Sequence, residues 1–184
     1  MSHERESTRD PWSEHLATVS GLPVVAGSSP PPEALRAARP GTSSPDLELW
    51  RAALGLARLE VPGGDGPLHP WSGTGAIEVW TEEELSALHA LWRLARLRSH
   101  AGARARALSA ARWHLEHTQP DNATNRPWAL HVFLIEGSAE ARAYAGTLLH
   151  NALAMEGRAT ALSAWILMDA AAELRLVSVD GAGG

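Results

Sequence analysis

From residue 44 onward, apolar side chains recur every three to four positions, the spacing of helices that bury one face. The pattern predicts a first helix capped by Ser44, with Pro45 at its first position and Asp46 and Glu48 in the turn favoured by the helix dipole. It runs to about Glu60, where Val61-Pro62-Gly63-Gly64 stops it. Residues 62–80 form a Gly/Pro-rich connection containing His69-Pro70-Trp71, long for a loop inside a compact domain, with Ala76–Trp80 as a short extended piece. Thr81 and Glu84 have the spacing of a capping box, and Trp80 with Leu85 that of a hydrophobic staple, so a second helix is placed from Thr81 to near Gly102. Leu85, Leu88, Leu91, Trp92 and Ala95 share one face while Leu94 and Leu97 lie on another, which predicts packing on two sides.

A third helix is expected over Ala103–His117, with Ala107, Leu108, Ala111 and Leu115 inward. Thr118–Arg126 reads as a polar loop, and Pro127 starts a fourth helix to Glu136 that is apolar nearly all round and therefore buried. A buried strand through Trp128–Phe133 is the alternative; Pro127 before the run and Gly137 after it favour helix. Ser138 caps a fifth helix, about Ala139–Met155, and the corner Glu156-Gly157-Arg158 leads into a sixth, about Ala159–Leu176. The fold class is thus all-α, with antiparallel helical hairpins packed as a bundle or a short solenoid- or toroid-like array. Ala107-Leu108-Ser109-Ala110 reappears as Ala161-Leu162-Ser163-Ala164, a four-residue echo compatible with a repeated hairpin but cheap in an Ala-rich chain.

Composition divides the chain. Residues 1–44 are rich in Ser, Pro, Gly and Arg, with too few apolar residues to offset chain entropy, and read as a flexible tail. Within it Asp10-Pro11-Trp12 looks like a helix start, Glu33–Arg39 has the length of one or two turns, and Trp12 or Leu16 would anchor a docked piece. Residues 45–176 are the helical domain and 177–184 a C-terminal tail. There is no Cys, which removes disulfides, thiolate metal sites and cysteine nucleophiles. All 16 basic side chains are Arg, and the net charge of −5 offers no general basic face for phosphate counterions, so no nucleic-acid partner is expected. With 8 Trp against one Phe and one Tyr, core aromatic packing rests on indoles whose N–H groups need acceptors. The charged Met1–Asp10 precedes no apolar run of signal-peptide length, and nowhere do about 18 apolar residues run together, so a cytoplasmic protein with no membrane partner is expected.

The richest chemistry lies between Trp113 and His131. His114 and His117 sit three apart at a helix end, and Asp121 in the next loop adds an oxygen donor. Nothing fixes their convergence, and the simpler reading is a packed His114 and a His117 facing the helix dipole, so no metal and no cofactor is expected. Asp121, Asn122, Asn125 and Arg126 supply ordinary turn and cap chemistry, or alternatively the polar rim of a pocket floored by Trp128. His131 falls on a helix with no polar face, and Asp169 among Leu162, Trp165 and Ile166; a buried carboxylate needs a partner, with His131, Arg126 or a Trp N–H as candidates. There is no phosphate-binding Gly-rich loop followed by Lys, no G-x-S-x-G, no H-E-x-x-H and no dinucleotide fingerprint.

These features favour a non-catalytic interaction or scaffold module whose partner is another protein or a second copy. The alternative is a small pocket enzyme or ligand- or metal-binding protein using His114, His117, Asp121, Asn122, Asn125, Arg126, Trp128, His131 and Asp169. Convergence of those side chains on one concave site would favour the alternative; scatter would favour the module.

Overall fold

In a computed structural model of the chain, residues 11–26, 28–29, 45–58, 61–73, 76–118, 124–156 and 160–181 are described. Among them the fold is wholly helical, with no strand. The helices are α1 (Pro11–Ser20), α2 (Pro45–Ala53), α3 (Ile77–Leu97), α4 (Ala101–His117), α5 (Leu130–Glu136), α6 (Ala139–Glu156) and α7 (Ala161–Gly181).

α3 is the axis of the molecule. Every side chain from Glu84 to Ala95 is buried, because α2, α4 and α5 pack around it; the two apolar faces read from its sequence are both inside. α7 is the second buried helix, closed from Leu162 to Leu174 and contacted by α1 and α5. Within the stretch set apart as a tail, Pro11–Ser20 is thus an ordered helix on α7, with Leu16 fully enclosed. Ser44, Glu33–Arg39 and the Gly157-Arg158 corner lie outside the described residues.

Two starts differ from the sequence expectation. α3 begins a turn before Thr81: Ala76 is extended (φ −77°, ψ 131°) with no side-chain cap, and the Thr81 hydroxyl donates back to the Ile77 carbonyl at 2.9 Å. Thr-x-x-Glu therefore serves as two successive inward positions of a helix, and Glu84 is free to be used elsewhere. The fourth predicted helix starts at Leu130 and not at Pro127, because Ala129 adopts the left-handed conformation (φ 55°), uncommon for a residue with a Cβ. It ends at Gly137 (φ 87°), whose N–H donates to the Phe133 carbonyl; this is the position where glycine avoids the penalty of a left-handed cap. The two Ala-Leu-Ser-Ala segments occupy different places, mid-α4 and the first turn of α7.

Candidate functional site

The densest chemistry is at the junction of α3 and α7. His89 and Arg93, one turn apart on α3, both meet Asp169 on α7. His89 Nε2 lies 3.0 Å from Asp169 Oδ2, and the Arg93 guanidinium donates to the other carboxylate oxygen. A second Arg93 nitrogen donates to the Ser28 carbonyl at 2.6 Å, and the guanidinium stands over the Trp165 ring, 5.7 Å from its centroid. The backbone N–H of Ala129 donates to His89 Nδ1 at 3.2 Å, which assigns the ring proton to Nε2, so that a neutral His89 donates to Asp169. The left-handed turn at Ala129 aims that amide at the ring.

Electrostatics follow from burial. It would raise the Asp169 carboxyl, but the bond from His89 and the nearby Arg93 charge prevail and hold it at about 2. Burial pushes His89 below its ordinary value, with Asp169 opposing only in part. His131, fully buried, is pushed well down by burial and by His89; the two rings meet edge to face with centroids 4.5 Å apart, and neither His131 nitrogen has a hydrogen-bond partner among the described residues. Trp50, Trp128 and Trp165 surround His89 at 5.4–6.0 Å. Their indole N–H groups are all satisfied, by Ser86, Glu82 and Ser28 respectively.

A second enclosed carboxylate, Glu84, organises the connection before α3. It accepts the backbone N–H groups of Leu68 and of His69 (3.1 Å), while His69 Nδ1 and His114 Nε2 stand 2.6 and 3.5 Å from its oxygens. Burial would raise Glu84, yet His114 and His69 hold it at about 2. His114 extends the network through Thr118 (3.2 Å) to the Tyr144 hydroxyl (2.9 Å). Arg106 donates to the Pro62 and Pro67 carbonyls, fixing the same stretch to α4. This connection is therefore pinned by buried side chains, although its described residues contain no helix or strand.

The residues singled out from sequence fall in different places. His131, Trp128 and Asp169 meet in the first centre, but the direct partners of Asp169 are His89 and Arg93, not His131 or Arg126. His114 belongs to the Glu84 centre. His117 is exposed, stacked on Trp113 at 4.5 Å, with its Nδ1 2.9 Å from the Trp113 carbonyl. Asn125 is exposed, and Arg126 pairs with Glu82 at 3.1 Å; Asp121 and Asn122 lie outside the described residues. Arg93 and the partnership of His89 were not read from the sequence, where Glu84 stood as half of a capping box. The available signal was His89, Arg93 and Arg96 at i, i+4 and i+7 on α3, facing Asp169 and Glu173 at i and i+4 on α7.

Among the described residues no group of three or more His, Cys, Asp or Glu side chains is arranged to hold a metal ion, and no helix is long and apolar enough to cross a membrane. The chain matches no protein-family model, no curated protein and no solved structure.

Proposed function

We propose that the chain is a non-catalytic helical interaction or scaffold module, built of antiparallel hairpins, that acts in the cytoplasm on a protein partner or a second copy. The observation that carries this reading is the enclosure of its histidine-bearing acid–base centres. His89, His114, His131, Glu84 and Asp169 are all fully buried, and none of them lines either described cavity. A general acid or base must come within hydrogen-bond reach of its substrate. Here the reach is taken up by Ala129, Asp169, Leu68 and neighbouring side chains. His131 has no hydrogen-bond partner among the described residues and is kept from a substrate by burial alone; the bonds that join His89, Asp169 and Glu84 to their neighbours rigidify a core and specify its register, which is what a module presenting a fixed surface requires.

Carbethoxylation of the native protein with diethyl pyrocarbonate, mapped by mass spectrometry, tests this. His100, His117 and His150 are exposed and should react quickly, while His89, His114 and His131 stay unmodified until the protein unfolds. Rapid modification of His89 or His131 in folded protein would mean that solvent reaches the centre, and would return the pocket-enzyme alternative.

A further inference from the structure

Between α3, α4 and the end of α7 lies a half-open cleft of about 310 Å³, at the lower end of the roughly 300–1,000 Å³ typical of small-molecule sites. Its walls are mostly apolar, with Trp92, Ala95, Leu176 and Val177 among the lining residues. None of the candidate site residues read from the sequence contributes to it.

Three buried polar atoms of the lining residues have no hydrogen-bond partner among the described residues: Trp92 Nε1, Arg96 Nη2 and Glu173 Oε2. Trp92 and Glu173 are only 2% and 1% exposed. Trp92 differs in this from Trp50, Trp80, Trp128 and Trp165, whose N–H groups all reach an acceptor. Arg96 and Glu173 hold each other through Nε and Oε1, which leaves one further donor, Arg96 Nη2, and one further acceptor, Glu173 Oε2, without a partner among the described residues. Arg104 covers the Trp92 ring, 5.0 Å from its centroid. Buried polar groups without partners are costly to fold around, and three at one cleft point to a group that supplies their bonds.

We infer that this cleft binds a small neutral molecule carrying an amide, with the N–H beside the C=O, on a compact apolar body. Each orphan atom selects part of that group. Glu173 Oε2 accepts the ligand N–H; Trp92 Nε1 and Arg96 Nη2 donate to its carbonyl. A carboxylate lacks the N–H and would face Glu173 unpaired, and an ammonium ion would meet Arg96 and Arg104. A lactam offers donor and acceptor on one edge and satisfies the set. The site is separate from the sealed histidine centres, so it stands whether or not the module also docks on a protein.

The test uses ε-caprolactam against the isosteric ε-caprolactone, which lacks the N–H, with cyclohexanecarboxylate as the anionic control. Binding is followed on the full chain through the indole 15N–1H signals, the Trp92 signal being the one lost in Trp92→Phe. Lactam should shift that signal saturably, and lactone should bind roughly 10–100-fold more weakly. Trp92→Phe, which keeps a ring in place, should weaken lactam binding about tenfold, read by saturation-transfer difference, with the melting temperature confirming the fold. An unshifted Trp92 indole at millimolar lactam, equal affinity for lactone, or preference for the carboxylate would each overturn the assignment.

Discussion

Replacing Asp169 by Ala should be among the most damaging single changes available to this protein. Asp169 is fully buried and Arg93 is 3% exposed, so the substitution leaves a guanidinium enclosed with, among the described residues, the Ser28 carbonyl and the Trp165 face for support. Breaking a buried pair by removing one partner costs about 3–5 kcal/mol. The His89 Nε2–H loses its acceptor as well, an orphaned donor worth about 1–3 kcal/mol on its own. Because the two losses share one network, a total of about 4–6 kcal/mol is expected, a large part of the roughly 5–15 kcal/mol of a whole domain. At about 2–4 °C per kcal/mol for a chain of this size, the melting temperature should fall by roughly 8–24 °C. Urea unfolding followed by tryptophan fluorescence reads the change, since Trp50, Trp128 and Trp165 surround the site. The combined replacement Arg93→Met with Asp169→Leu removes both charges and should be markedly less harmful than the single change. A loss below about 1 kcal/mol for Asp169→Ala, or a double variant as unstable as the two single variants summed, would refute the reasoning.

Acid stability gives an independent check. Asp169 and Glu84 are held at about 2 in the folded chain against ordinary values of 3.8 and 4.5, so their stabilisation is complete above the ordinary values and lost as pH falls through about 2. At roughly 1.4 kcal/mol per tenfold change, this is about 2.5 kcal/mol for Asp169 and about 3.5 kcal/mol for Glu84. Lowered His89 and His131 act earlier, since below 6.5 the unfolded chain takes up protons that the folded one refuses. The raised carboxyls of Glu82 and Glu173 oppose the trend in part. Urea midpoints should therefore decline as pH drops below about 6.5 and steepen below about 4; a flat profile from pH 7 to 3 would contradict this. Glu84→Gln weakens the clamp on Leu68 and His69 and should cost about 1.5–3 kcal/mol, opening the connection around residues 62–73 to limited proteolysis ahead of any helix. Gly137→Ala forces a Cβ into the left-handed region and should lower stability by about 1–2 kcal/mol without altering the contacts of α5; an unchanged urea midpoint would show that this cap relaxes freely.

The helices themselves were legible because they depend on local spacing. α6, most of α4 and the start of α7 lie close to where their apolar period and caps place them, while α7 runs on to Gly181 through the first residues set apart as a C-terminal tail. The start of α3 was not, since Thr-x-x-Glu at 81–84 satisfies two grammars, a capping box and a pair of inward helical positions. Only the burial of Glu84 against Leu68 and His69, 16 and 15 residues earlier, separates the two. The same limit applies to the polar centre. That Asp169 needs a partner follows from its apolar neighbours, but which partner depends on how α3 meets α7, 76 and 80 residues apart at Arg93 and His89. His131 was read from its helix as buried, and it is; its role beside His89 comes from the chain reversal at Ala129, a left-handed residue that no local rule assigns to Ala.

The sealed, structural character of the histidine centre is tested most directly by 15N NMR of the imidazole rings across pH. His89 should persist as a single neutral tautomer with its proton on Nε2, titrate with a midpoint below 6.5, and exchange that proton slowly. A ring that titrates at the ordinary value, or that averages rapidly between tautomers, would show a centre open to solvent and contradict the account.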